Sequence, residues 1–188
     1  MGRDKALMRL NGESLIQRQL RLLLEIGVQR RLVAVAAGTL TEEGALRAEI
    51  PPGVACIEDS RPDCGPLAGI TSALAGLENG ESQLLVVAVD LPRLGAGLLG
   101  SLIEAVRQTP DEGIVPVVAG RLEPLAAVYP RSGLDSALAR LDRGDLSVQD
   151  WVREGVRNGW MRERVISVEA EAEFLNWNRL EDLPGASV

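Results

Sequence analysis

The sequence predicts an α/β fold in three α/β/α layers: a single domain with a mostly parallel sheet and helices on both of its faces. Three observations carry that expectation. Through the first ~110 residues, short apolar runs alternate with stretches of helical periodicity, the pattern of consecutive βαβ units. Hydrophobic residues make up 46% of a 188-residue chain, enough for one sizeable core and too little for two ordinary ones. No internal repeat, low-complexity tract or linker-like stretch divides the chain.

The elements follow in order. Residues 14–26 read as a helix, because Leu15, Ile16, Leu20, Leu23, Leu24 and Ile26 form a broad apolar stripe, Ser14 caps the start and Gly27 closes the end. Residues 32–37 are a short apolar run suited to a buried strand. Residues 41–50 are a second helical stretch with acidic residues in its first turn, broken by Pro51-Pro52-Gly53. A strand over 54–57 ends in Glu58-Asp59, a loop spans 60–65, and a helix follows over 66–77. Residues 84–89 are the most apolar strand, which Asp90-Leu91-Pro92 brings to a stop. Residues 96–108 are helical, and strands over 113–118 and 123–129 flank a turn at Gly120. Helices over 134–141 and 148–156, a late strand over 164–168 and a terminal turn or short helix over 176–183 complete the chain.

Composition excludes several function classes. A net charge of −7 and only 3% aromatic residues argue against a nucleic-acid partner and against stacking platforms for single strands. A small anionic ligand is not excluded, since its site needs only local positive charge. There is no histidine, and the two cysteines, Cys56 and Cys64, form no C-x-x-C pair. That removes zinc sites of the usual spacing and both Ser-His-Asp and Cys-His catalysis. The cysteines read as reduced thiols. No apolar run approaches the ~20 residues of a membrane span, and the opening Met1-Gly2-Arg3-Asp4-Lys5 is not a signal peptide. The expected compartment is the cytoplasm.

Four features carry candidate chemistry. Lys5 is the only lysine among 20 basic residues. Either the composition is biased toward arginine, or position 5 needs a compact ammonium on a flexible stem, a point-charge binder of phosphate. Asp59 and Asp90 each end an apolar strand, and in open parallel sheets ligands bind beyond the carboxyl ends of strands. Asp90 could cap the next turn or fill one position of a Mg²⁺ shared with substrate phosphates, an ion that uses only one or two protein carboxylates in such sites. Asp63-Cys64-Gly65-Pro66-Leu67-Ala68-Gly69 is a tight loop opening a helix, where Pro suits the first turn and free N–H groups can receive an anion or a base edge. Asn176-Trp177-Asn178 sets two amides on one side of an extended stretch, able to bind a heterocycle's edge or to form a turn.

In this order, the pieces resemble the molybdenum cofactor guanylyltransferase family, the MobA-like nucleotidyltransferases. Residues 1–13 resemble the family's opening motif from its Met-Gly onward. Ile57-Glu58-Asp59 with Gly65-Pro66-Leu67-Ala68-Gly69 resembles the second motif, and Val89-Asp90-Leu91-Pro92 the metal-binding one. Glu123-Pro124-Leu125-Ala126-Ala127-Val128-Tyr129-Pro130 resembles the mid-chain strand, and Asn176-Trp177-Asn178 leading into Glu181-Asp182-Leu183 the closing motif. The likeness spans nearly the whole chain. It implies a Rossmann-like, GT-A-like nucleotidyltransferase sheet and transfer of GMP from GTP to molybdenum-bearing molybdopterin, with release of pyrophosphate. It implies that Lys5 binds the GTP phosphates, that Asp59 contacts base or ribose, and that Asp90 holds Mg²⁺ and through it the α-phosphate. Gly65, Pro66 and Leu67 would line the wall between nucleotide and acceptor, and Asn176 and Asn178 would face the pterin, with Asn178 also in reach of the metal. Transient contact with the apoproteins that receive the cofactor is implied as well. The acceptor phosphate is already an anionic nucleophile, so alignment and electrostatics suffice without a general base.

Two departures from the family pattern set further expectations. The family begins with a strand and a Gly-rich loop before the Met-Gly with which this chain starts. Without that central strand, neighbouring edges should lie unpaired, and turnover should be weak. Residues 32–38, Leu-Val-Ala-Val-Ala-Ala-Gly, lack the Asn that many relatives place near this strand's end. Base choice therefore stays open: a cytidylyltransferase on the same pterin, a sugar-phosphate nucleotidyltransferase, or a non-catalytic nucleotide or pterin carrier are the alternatives.

Overall fold

The chain enters the fold through a hairpin that periodicity does not reveal. In the computed structural model, which describes residues 5–36, 38–39, 44–59 and 61–176, a 3₁₀ turn Lys5–Leu7 leads into β1 (Arg9–Leu10) and β2 (Glu13–Ser14), paired antiparallel. The turn residues Asn11 and Gly12 have φ of 52° and 86°, the left-handed pair for which Asn-Gly is favoured in two-residue hairpins. Ser14 then caps α1 (Leu15–Glu25) in a reciprocal capping box with Gln17.

β3 (Leu32–Val35) and β4 (Ala55–Glu58) pair in parallel and are joined through α2 (Ala45–Glu49). α3 (Gly65–Ala75) leads to β5 (Gln83–Val87), and α4 (Ala96–Val106) to β6 (Gly113–Val118). β7 (Arg121–Leu122) folds back on β6, and β8 (Ala126–Pro130) lies between β5 and β6, antiparallel to both. α5 (Leu134–Asp142) and α6 (Val148–Asn158) precede β9 (Met161–Val165), which returns parallel to β6. A 3₁₀ stretch, Val168–Phe174, follows.

The α/β class and its three layers hold, but the sheet is mixed rather than mostly parallel. β8 reverses because it follows β6 through a short hairpin, and only a longer crossover can make a parallel neighbour. Side-chain alternation then divides the core. Leu84, Val86, Val115, Val117, Ala127 and Tyr129 pack on one side, while Leu85, Val87, Ile114, Val118, Ala126 and Val128 pack on the other. The first side is filled by α3, α5 and α6, around Tyr129 and Trp151 stacked at 4.8 Å. The second is filled by α4 and the end of α1.

Three boundaries differ from the sequence expectation by more than two residues. The strand expected over 123–129 begins only at Ala126, because the Ala126 N–H turns back to the Glu123 carbonyl and Tyr129 Oη donates to the Pro124 carbonyl at 2.6 Å, which shapes 123–125 as a turn. The late strand is Met161–Val165 rather than 164–168, since its buried anchor is Met161 opposite Gly113; Val165 and Val168, whose apolar character suggested a strand, are 80% and 78% exposed. The second helix is only Ala45–Glu49, with 41–43 outside the described residues. The terminal element expected over 176–183 lies outside them too, apart from Asn176.

Among the described residues, β3 pairs only with β4, and β5 only with β8. Each keeps an unpaired edge. A cavity of about 1330 Å³ runs along both, with Leu32, Val33, Val35, Leu84 and Val86 in its walls. Both strands start beside the Arg30–Glu81 ion pair and end near Ala6, since Val35 and Val89 pack on the same small core. They therefore run in the same direction.

Gly113 is needed where β6, β8 and β9 meet: a Cβ there would overlap Met161 Sδ, the Val128 carbonyl and Pro130 Cδ. Gly113→Ala is expected to cost about 1–3 kcal/mol, the range for overpacking a filled core. A melting temperature several degrees below wild type, read by circular dichroism, checks it. Among the described residues no helix is long and apolar enough to cross a membrane.

Candidate active site

Lys5 and Asp90 meet. The 3₁₀ turn of Lys5 is held because Ala6 is buried with Leu20 and Val33, and because the Met8 N–H donates to the Lys5 carbonyl at 3.1 Å. From there Lys5 Nζ donates to Asp90 Oδ2 at 3.3 Å, with the two side chains 41% and 23% exposed. An ion pair so open to solvent contributes little stability, so its place in the fold is better read as a pair accessible to a ligand.

The turn carrying Asp90 is fixed from α1 and from β8. Gln19 Nε2 donates to the carbonyls of Ala88 and Leu91, at 3.3 and 2.8 Å. Arg18 Nε donates to the Pro92 carbonyl at 2.5 Å. The Ala88 N–H donates to the Leu125 carbonyl at 2.7 Å, and Leu91 and Leu94 are buried. Gln19 was not singled out from sequence. Its signal was a polar residue at a buried position of an otherwise apolar helix face, and buried polar groups hydrogen-bond to something.

Asp59 follows β4, held by its N–H donating to the Val35 carbonyl at 2.9 Å. It lines the larger cavity, and its Oδ1 is buried with no hydrogen-bond partner among the described residues. Gly69 leaves room for that carboxylate: a Cβ there would stand 3.2 Å from Oδ1. Burial raises the Asp59 carboxyl above its ordinary value.

Gly65, at φ +64°, opens α3 after Cys64, with Pro66 in the first turn. Gly65 and Pro66 line the larger cavity, and Pro66, Ala88 and Leu125 also line a second, of about 530 Å³, that contains Asp90 and Asn176. Pro66 thus lines both cavities. Leu67 does not share that role with its side chain, which is 0% exposed in the core beneath α3 and lines neither cavity; one turn of helix points Pro66 outward and Leu67 inward. Asn178 lies outside the described residues. No group of three or more His, Cys, Asp or Glu residues stands together among the described residues, so a divalent ion at Asp90 would take most of its ligands from substrate and water.

The model of the MobA-like NTP transferase domain matches residues 1–159. The chain belongs to that family. It is 39% identical over 186 residues to the "probable molybdenum cofactor guanylyltransferase" of Opitutus terrae, covering 97% of this chain and 86% of that protein. It is 30% identical over 191 residues to the molybdenum cofactor guanylyltransferase of Cupriavidus metallidurans, covering 97% and 85%. The fold matches the crystal structure of molybdopterin-guanine dinucleotide biosynthesis protein A from Archaeoglobus fulgidus with a TM-score of 0.75, over 96% of this chain and 87% of that one, at 19% identity. As a MobA-like NTP transferase the chain is a nucleotidyltransferase.

In this MobA-like chain, Asp59→Asn is expected to separate binding from folding. A carboxyl whose folded pKa lies above its unfolded value opposes folding when ionised; that penalty is present above the folded pKa and vanishes below the unfolded one. The Asn variant is therefore expected to be no less stable than wild type at neutral pH. Its GTP affinity is expected to fall about tenfold, the worth of one hydrogen bond to a charged group. Thermal melts beside calorimetric GTP titration check both parts.

Proposed function

We propose that this chain transfers the GMP moiety of GTP to molybdopterin carrying molybdenum, forming the guanine dinucleotide cofactor and releasing pyrophosphate. The observation that carries the reading is the meeting of Lys5 Nζ and Asp90 Oδ2 at 3.3 Å, with Asp90 in the wall of a cavity that adjoins the larger one across Pro66. Relatives named molybdenum cofactor guanylyltransferase, similar over 97% of this chain, support the choice of substrates.

In this reading GTP lies along the larger cavity, with base or ribose against Asp59 and its phosphates toward Lys5 and the start of α3. Unpaired N–H groups and the dipole at a helix N-terminus favour the phosphates. The acceptor lies in the smaller cavity beside Asn176, and the family likeness assigns Asn178 to the pterin as well. An oxygen of the acceptor's terminal phosphate attacks the α-phosphorus of GTP. One P–O bond forms, the bond to the β-phosphate oxygen breaks, and pyrophosphate departs with the electron pair. Lys5 offsets the charge growing on that leaving group. Asp90 fits Mg²⁺: one carboxylate on a turn fixed by Gln19 and Arg18 matches an ion that takes one or two carboxylates plus phosphates. The bound ion would neutralise charge on the phosphates. Ionised acceptor phosphate needs no base, so the lack of histidine is no obstacle. Such an enzyme would work in the cytoplasm and hand its product to molybdoenzyme apoproteins by transient contact.

The test offers GTP, CTP and UTP in turn with molybdenum-loaded molybdopterin and Mg²⁺ and measures pyrophosphate. GTP should be preferred. Preference for CTP would overturn the guanine assignment, and release that does not depend on the pterin would overturn the acceptor.

A further inference from the structure

The smaller cavity holds polar groups to which neither the family likeness nor the nucleotide chemistry gives a role. Arg121, Glu123 and Gln149 line it with Asp90 and Asn176. The segment carrying Glu123 is clamped at each end. The Glu123 N–H donates to the Pro116 carbonyl at 2.9 Å, and the Glu123 carbonyl accepts from the Ala126 N–H at 3.2 Å. The next carbonyl, of Pro124, accepts from the buried Tyr129 hydroxyl at 2.6 Å, and that of Leu125 accepts from the Ala88 N–H, two residues before Asp90. The backbone that carries Glu123 is thus held in fixed relation to the turn that carries Asp90. The Glu123 carboxylate accepts no hydrogen bond from any described residue, and the charge of Arg121 acts on it.

Gln149, in the first turn of α6, is oriented by its Nε2, which donates to the Leu122 carbonyl at 2.9 Å. Its Oε1 is buried and has no partner among the described residues. A buried acceptor left unpaired is costly, so Gln149 Oε1 is held in place without the donor it requires. Burial raises the Glu123 carboxyl above its ordinary value, against the opposing charge of Arg121.

We infer that Glu123 and Gln149 read the acceptor's ring, accepting the N–H donors of its 2-amino-4-oxo pyrimidine edge. This rests on the reading that the smaller cavity takes the pterin. A carboxylate can receive two neighbouring N–H groups side by side, and the pterin edge offers them from its 2-amino group and N3. The two residues therefore determine acceptor specificity and take no part in the phosphate chemistry. A site built to bond such donors discriminates steeply against analogues that lack them, because its own polar groups are then left unpaired.

The test titrates pterin fluorescence with wild type, Glu123→Gln and Gln149→Leu. The probes are 6-hydroxymethylpterin and its 2-oxo counterpart, 6-hydroxymethyl-lumazine, which replaces the amino donor by a carbonyl. Wild type should prefer the pterin. Glu123→Gln, which keeps shape and removes the charge, should weaken pterin binding tenfold or more and erase the preference, with GTP affinity unchanged. Gln149→Leu should weaken pterin binding in the same direction. Equal pterin affinity and preference in wild type and Glu123→Gln, or a parallel loss of GTP affinity, would overturn the inference. Because binding is read without turnover, a wild-type chain that binds pterin selectively but releases no pyrophosphate would defeat the transferase reading and leave this one standing.

Discussion

Asp90→Asn is expected to lower the rate of guanylyl transfer by about 10²–10³-fold, the loss seen when one preorganised electrostatic partner of a transition state is removed. The isosteric amide keeps an oxygen at the same place on a turn fixed by Gln19, Arg18 and the Leu125 carbonyl, so geometry should survive while the charge does not. Stability should barely move, because the Lys5–Asp90 pair is 41% and 23% exposed and such pairs contribute about 0–1 kcal/mol. Steady-state pyrophosphate release at saturating substrates, beside a thermal melt, reads both. A variant that lost rate only in proportion to lost folded protein would assign Asp90 to the turn rather than to the chemistry.

Lys5→Ala is expected to lose about 10²-fold or more in kcat for the same reason, seen from the other side of the triphosphate. The more telling variant is Lys5→Arg. Arg keeps the charge but spreads it over a planar fork that suits bidentate partners rather than a single point beside a leaving oxygen. Rate should stay low, within about tenfold of the Ala variant. Full activity in Lys5→Arg would mean that the single lysine in this arginine-rich chain reflects composition alone.

How much of this was legible in the sequence differs by kind of residue. Helices with a clear stripe and a cap, such as α1 with Ser14 and Gln17, read directly because local rules decide them. Asp59, Asp90 and Pro66 were legible because strand ends and helix starts are marked by their neighbours, and the structure sets them along adjoining cavities. The Asn11-Gly12 hairpin carried its own signal, but its strands are only two residues each, too short for period-two alternation to show. β9 was misplaced because apolar Val165, Ile166 and Val168 outweighed Met161, whose burial is set by tertiary pairing with Gly113. Sheet direction was misjudged where β8 inserts between β5 and β6, since order across a sheet is a long-range property. Gln19, Glu123 and Gln149 were hidden for the same reason: their roles depend on carbonyls and cavities supplied by distant segments.

The proposal that Lys5 and Asp90 act on one triphosphate is tested most directly by a double-mutant cycle on kcat/KM for GTP, comparing wild type, Lys5→Ala, Asp90→Asn and the double variant. Two groups serving the same transition state lose their benefit together, so the double variant should be little worse than the poorer single one. If instead the two losses multiply in full, the side chains work independently, and a shared triphosphate between them is ruled out.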